Sequence, residues 1–341
     1  MDNTRVNQSS IITKTVKHIV LGTRALRLAS RFTHPRIVIL GYHSIQERPE
    51  LYANSIGYGI THSASVFESQ MKLVASKYIP VSLEEVRYIL QGKKQLRKNA
   101  VAVTFDDGYR DNCDIADPIL RLYGIPATFY ICTSWIGTTE APWFCRLRHA
   151  FMTTKCEEWS DSVQGHRYKL CDAKNRSAVL QAAIGMASSM TGDTRQATIR
   201  TIERDLDVTP LGAPGDLMMT WDHARKLRRL GHTVGSHTMT HPNVAHLIDE
   251  QIMLTEIGES KRRIEQELQE AILDFSYPHP ALNPQWTPKT LEVTKQAGYQ
   301  TAVTTTPGAV RVGDSPFTLA RVMVSGLESD FRWQLERAFL A

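Results

Sequence analysis

The chain has 341 residues, of which 42% are apolar and 22% charged, with a formal net charge of +5. This excludes a disordered chain and leaves length for one large α/β barrel or two ordinary domains. The mild charge, with no zinc-finger or RNP-type pattern, argues against a nucleic-acid binder.

The positive charge gathers at the front, where Arg5, Lys14, Lys17, Arg24, Arg27, Arg31 and Arg36 face only Asp2. Residues 1–34 read as a basic amphipathic segment in which Ile12, Val16, Ile19, Val20 and Leu26 share one helical stripe. Two readings stand: a helix packed on the domain, or a helix in peripheral contact with an anionic membrane surface on the cytoplasmic side. The interrupting Lys and Arg residues rule out a signal-peptide core, and no apolar run is long enough to span a bilayer. Cys113, Cys132, Cys145, Cys156 and Cys171 show no CxxC spacing and fit reduced thiols in a cytoplasmic protein.

The run from Arg36 to His43 predicts a fully buried first strand. Ser65-Val66-Phe67-Glu68 and Ser82-Leu83-Glu84-Glu85 read as capping boxes that open two helices. A strand follows at 101–105. One unit then recurs, a helix ending at a glycine with a strand directly after it. It appears at 119–131 around Gly124, at 224–236 around Gly231 and at 291–305 around Gly298. Ile272–Tyr277 and Leu319–Val324 predict further strands. Alternating strands and helices imply a parallel sheet, here a closed or nearly closed (β/α) barrel of about seven strands over residues 35–341. The stretch from about 135 to 214 breaks the rhythm and reads as a helical insertion, without a buried strand, covering one side of the barrel mouth. A last helix is predicted at Phe331–Leu340.

Reactive residues of such barrels gather where strands end. Asp106 and Asp107 end the strand 101–105, His237 ends another, Tyr277-Pro278-His279 ends a third and His43 ends the first. Two adjacent acids at a buried strand end need a cation. Asp107 with His237 and His241 makes a two-His-one-carboxylate site with open positions, and zinc is the first candidate. Adjacent strand-end residues point apart, which leaves Asp106 to act as a base towards a metal-bound water. The alternatives are an Asx turn at Asp-Asp-Gly and two histidines that only hydrogen-bond within their loop.

Thr104-Phe105-Asp106-Asp107-Gly108 together with His237-Thr238-Met239-Thr240-His241 resembles the polysaccharide deacetylases of the NodB-homology type, carbohydrate esterase family 4. The resemblance implies a metal-dependent hydrolase that removes acetyl from an N-acetylated sugar or glycan, built on a deformed (β/α) barrel. It implies Asp106 as general base and Asp107, His237 and His241 as metal ligands. The family's Arg-x-Pro-Tyr motif is replaced by Ser276-Tyr277-Pro278-His279. His279 still offers a backbone N–H to an oxyanion, and Arg321 is a candidate for the missing arginine, the alternative being a plain salt bridge. No histidine follows His279 to serve as the usual acid. Gly41-Tyr42-His43-Ser44 resembles the branch that acts on exopolysaccharides such as poly-N-acetylglucosamine, which implies His43 as acid, with His279 as the other donor. A core histidine is the alternative for His43. Tyr109, Tyr277, Pro278 and Arg321 are taken as substrate-facing residues, and Trp221 and Trp286 as sugar-stacking faces or core. Two other readings remain: a metal-dependent hydrolase of a different non-peptide C–N bond, or a catalytically silent carbohydrate-binding protein.

Overall fold

The structure, a computed structural model, describes residues 34–161, 165–212, 217–324, 326 and 328–340. The amphipathic segment expected at 1–34 therefore lies, apart from His34, outside the described residues. In chain order the first elements are β1 (Ile37–Tyr42), β2 (Ser44–Gln46), β3 (Thr61–Ser63), α1 (Ala64–Lys77), β4 (Ile79–Pro80), α2 (Leu83–Leu90), β5 (Ala100–Phe105) and α3 (Asp117–Leu122). Then come β6 (Ala127–Ile131), α4 (Trp143–Thr153), β7 (Glu158–Ser160), β8 (Arg167–Lys169), α5 (Ala173–Ser188), α6 (Gly192–Asp205), α7 (Trp221–Arg229) and β9 (Thr233–Ser236). The last are α8 (Glu250–Leu254), α9 (Ser260–Leu268), β10 (Asp274–Ser276), α10 (Pro288–Gln296), β11 (Thr301–Val303), β12 (Val322–Met323) and α11 (Glu328–Ala338).

One sheet runs in the order β11-β10-β9-β6-β5-β1-β12, with β4 pairing to β5, and every pairing in it is parallel. Its strands are apolar at successive positions because both faces are covered. The two-residue period divides them. Val38, Leu40, Tyr42, Val101, Val103, Phe105 and Phe129 join the core that includes the α1 side chains Phe67 and Met71. Ile37, Ile39, Ala100, Ala102 and Tyr130 join the second core, shared with α2. Register places Tyr42, Phe105 and Phe129 side by side, and their rings stack at 5.6 and 4.9 Å. Asp106 has the same parity as Ala100, Ala102 and Thr104, so the pleat carries it to the barrel side of β5.

The sheet curls until its edges meet. Leu319 bridges to Val303 at the β11 edge, and Val322 pairs with Leu40 at the β1 edge. The short segment between them closes the barrel and contains Arg321. Gly124, Gly231 and Gly298 all take left-handed backbone after their helices, as their recurrence in the sequence predicts.

The described residues of the expected insertion build α4, α5 and α6 around a core of their own, with Trp143, Phe151, Leu180, Ile199 and Ile202. Contrary to the all-helical reading, this region also holds the antiparallel hairpin β7–β8, in which Trp159 stacks on Tyr168. Three-residue strands are too short to show a period in the sequence. The first helix is capped by Ser63 rather than opened at Ser65. Ser63 is extended and its hydroxyl accepts from Val66 N–H at 3.3 Å. The second capping box, Ser82 with Glu85, forms as read. Among the described residues no helix is long and apolar enough to cross a membrane.

Gly235 in β9 is fixed by its neighbours. A methyl there would lie 2.5 Å from the Tyr130 ring and 2.8 Å from the Asp274 carbonyl oxygen. Gly235→Ala is expected to cost about 1–3 kcal/mol through overpacking. The check is the urea midpoint, and an unchanged midpoint would show that the β6–β9–β10 junction yields freely.

Candidate active site

The ladder delivers the site residues. Asp106 N–H still donates to Tyr42 O, and His237 N–H to Ile131 O, each at 3.0 Å. Beyond these bonds the backbone turns sharply, with Asp107, Thr238 and His241 at φ of 75°, 69° and 56°. Side chains with a Cβ rarely adopt this region, and such strain persists where surroundings hold it. Here Glu256, in a π-helical turn between α8 and α9, accepts from the N–H groups of Met239 and Thr240 at 3.0 and 2.9 Å. Thr240 O accepts from Trp143 Nε1 and Arg195 Nη1, both supplied by the insertion. Thr238 Oγ1 accepts from His241 N–H.

The two acids meet opposite fates. Arg321, fully buried, donates Nη1 to Asp106 Oδ1 and Nη2 to Asp106 Oδ2, both at 2.7 Å. Its Nη2 also reaches Ser276 Oγ at 3.2 Å and its Nε donates to Thr304 O. Ser276, where the family motif has arginine, is small enough to stand against this guanidinium. Burial pushes the Asp106 carboxyl up, but Arg321, with lesser contributions from His237 and His43, outweighs it and holds the group well below the usual carboxylate range. For Asp107, burial and the neighbouring Asp106 charge both push the carboxyl up. Its Oδ1 is buried and has no hydrogen-bond partner among the described residues.

Asp107 Oδ1 lies 3.6 Å from His237 Nε2 and 3.4 Å from His241 Nε2. Burial lowers the pKa of both imidazoles, so these are not ion pairs. His237 Nδ1 is 2.7 Å from Ser276 O, which places the proton on Nδ1 and leaves the Nε2 lone pair facing Asp107. A buried carboxylate oxygen without a donor and two neutral imidazoles, their ligand atoms all within 4.8 Å, fit a divalent cation.

A cavity of about 360 Å³ joins Asp106, Asp107, His237 and His241 to His43, Tyr277 and His279. His43 is half-buried, and desolvation lowers its ring to about 4. Its backbone O accepts from Asn112 Nδ2 at 2.7 Å, while Asp111 accepts from Ser44 Oγ, Ile45 N and Gln46 Nε2, which fixes the chain on both sides of the ring. Both ring nitrogens of His279 are engaged, with Thr305 Oγ1 and Asn283 Oδ1, each at 3.1 Å.

Several expected substrate contacts lie elsewhere. Tyr109 does not line the cavity but is buried in the insertion core, its hydroxyl 3.6 Å from Cys145 Sγ and also bonded to the Asp107 carboxyl, which it pulls down, after the left-handed backbone at Asp107 and Gly108 redirects the chain. Pro278 is buried and does not line the cavity, and Arg321 is enclosed with its donors on Asp106. Trp221 and Trp286 pack on the barrel core. The sequence reading missed Asp111, Asn112, Glu256 and Arg195. The only signal was the density of polar residues just after the Asp-Asp-Gly run.

Arg321→Met leaves a buried, unpaired charge and is expected to lose about 3–5 kcal/mol, part of which returns in the Arg321→Met/Asp106→Asn double variant. In the wild type the depressed Asp106 stays ionised down to the unfolded value near 4, and its contribution is lost only below that. In Arg321→Met burial is opposed only by the lesser pull of His237 and His43, so the carboxyl moves up and the deficit is largest at pH 7 and narrows on acidification. Urea titrations at pH 7 and pH 5 decide this. An equal deficit at both would mean that Arg321 does not offset the Asp106 charge.

The family profile described as Polysaccharide deacetylase matches residues 93–302. YxkH of Bacillus subtilis (strain 168), which carries that family's name, is 23% identical over 291 residues, 85% of this chain and 72% of its own. The poly-beta-1,6-N-acetyl-D-glucosamine N-deacetylase of Escherichia coli (strain K12) is 29% identical over 105 residues, 31% of this chain and 15% of its own. The structure of IcaB from Ammonifex degensii shares the fold, with a TM-score of 0.60 at 18% identity over 91% of this chain and 99% of that one. The chain belongs to the polysaccharide deacetylase family.

Proposed function

We propose that this chain hydrolyses the N-acetyl group of an amino sugar in a polysaccharide or glycan precursor, in a divalent-metal-dependent reaction that releases acetate. The observation that carries the reading is one cavity lined by a charge-paired carboxylate, a convergent Asp-His-His trio and a separate histidine. The name of the Escherichia coli relative supports N-acetylglucosamine as the sugar class.

Asp107, His237 and His241 hold the metal, zinc being the first candidate. When bound, the ion polarises the acetamide carbonyl and lowers the pKa of a water. Asp106 accepts the proton of the attacking water. Arg321 keeps it ionised at any working pH and aims its oxygens, so it is always in the accepting form. The backbone N–H of His279 serves the developing oxyanion. With both ring nitrogens of His279 engaged, His43 is the donor to the leaving amine. Its ring is neutral in the free cavity and takes up a proton from bulk water as negative charge builds on the substrate beside it, passing it to the amine, while Asp106 returns the proton taken from the attacking water to bulk water.

Asp106→Asn should retain bound metal yet lose acetate release from an N-acetylglucosamine oligomer by at least ~100-fold, the scale of a lost general base. His241→Ala should lose the metal itself, read by elemental analysis, and chelation of the wild type should abolish turnover. His43→Ala should lower kcat with metal content unchanged. Full acetate release by chelated protein, or by Asp106→Asn, would overturn the assignment.

A further inference from the structure

Arg148 is the one arginine or lysine lining the active-site cavity among the described residues. It sits on α4 four residues after Phe144, so the two share a helix face, and both line the cavity. The Phe144 ring lies 5.0 Å from that of His241. Arg148 therefore stands one helical turn, ~5.4 Å, along α4 from Phe144 on the wall of the same cavity. That is the scale of a single sugar ring.

The guanidinium is seated on backbone. A Cβ on Gly57 would meet Arg148 Cζ at 2.6 Å and Nε at 2.7 Å, and Gly57 itself has a φ of +97°. Only glycine gives this loop both the conformation and the clearance. Arg148 makes no hydrogen bond or ion pair with any described residue. Its neighbour Arg146, by contrast, pairs with Glu203 and Gln196. Nor do the cavity acids answer it, since Asp106 is matched by Arg321 and Asp107 faces the two imidazoles. Gln181 of α5 lines the same cavity and adds a neutral hydrogen-bonding group.

A bare acetamido sugar offers no charge to a guanidinium, whose planar fork matches phosphate or carboxylate. We infer that Arg148 recognises an anionic substituent, phosphate or carboxylate, on the sugar that carries the N-acetyl group or on its immediate neighbour. The inference rests on the deacetylase reading and narrows its substrate to anionic glycans.

The test uses the full, metal-loaded chain and three probes: the methyl glycoside of N-acetylglucosamine, N-acetylglucosamine 1-phosphate and N-acetylmuramic acid. Acetate release gives kcat/KM for each, and calorimetry gives the dissociation constant. The wild type should favour at least one anionic probe over the neutral one by on the order of ten-fold. The preference should shrink at high salt. Arg148→Gln and Gly57→Ala, which displaces the guanidinium, should bring the ratio towards one, with Arg148→Lys in between. Whichever anion is preferred identifies the source of the charge. Equal values in the wild type, or a preference that survives Arg148→Gln, would overturn the inference. If no probe yields acetate, the deacetylase reading fails on its own, and the calorimetric ratios still decide for or against Arg148.

Discussion

The ion pair between Asp106 and Arg321 is the constraint on which the site depends. Two neighbouring carboxylates inside a barrel repel one another and resist desolvation, so one of them tends to protonate. The bidentate guanidinium settles which one stays charged without help. Asp107 is thereby left as the group that needs an external cation, with two neutral imidazoles arranged around the same point. The partition is structural before it is chemical. The pleat sends Asp106 to the barrel side, and a left-handed residue sends Asp107 to the histidines.

Barrel closure and charge compensation are one event. Arg321 lies between the bridge at Leu319 and the pairing at Val322, the two contacts that join the sheet's edges. Ser276, beside it on β10, contributes its hydroxyl to Arg321 and its carbonyl to His237. One small residue thus touches both halves of the site. The histidine loop is held from outside the barrel as well, by Glu256 in a π-turn and by Trp143 and Arg195 of the insertion. Local departures from α-helical geometry of this kind recur near functional sites.

That Asp106, Asp107 and His237 come together was legible in the sequence because each stands where an apolar strand stops, and barrel geometry gathers such ends, while His241 followed from its spacing four residues after His237. The parallel sheet of about seven strands followed from the helix–glycine–strand recurrence, but the order of its strands did not. Arg321 was visible only as a candidate. Its partner is 215 residues away, and nothing in Leu319-Ala320-Arg321-Val322 encodes that contact. Glu256 and Arg195 sit in ordinary-looking helical sequence and become site residues only through tertiary packing. Tyr109 meets Asp107 from behind rather than lining the cavity, because left-handed backbone at both Asp107 and Gly108 turns it into the insertion core. Pro278 was misplaced for a similar reason, since adjacency to His279 says nothing about which side chain faces the cavity.

The seam also orders events during synthesis. Domains fold as units while the chain emerges from its N-terminus. Strands β1, β5 and β6 leave the ribosome early, yet Asp106 waits through 215 further residues for its guanidinium. Until then its burial carries an uncompensated charge. Neither the closure at the β1 edge nor the matching of the Asp106 charge can therefore form before the segment that carries Arg321 has been made.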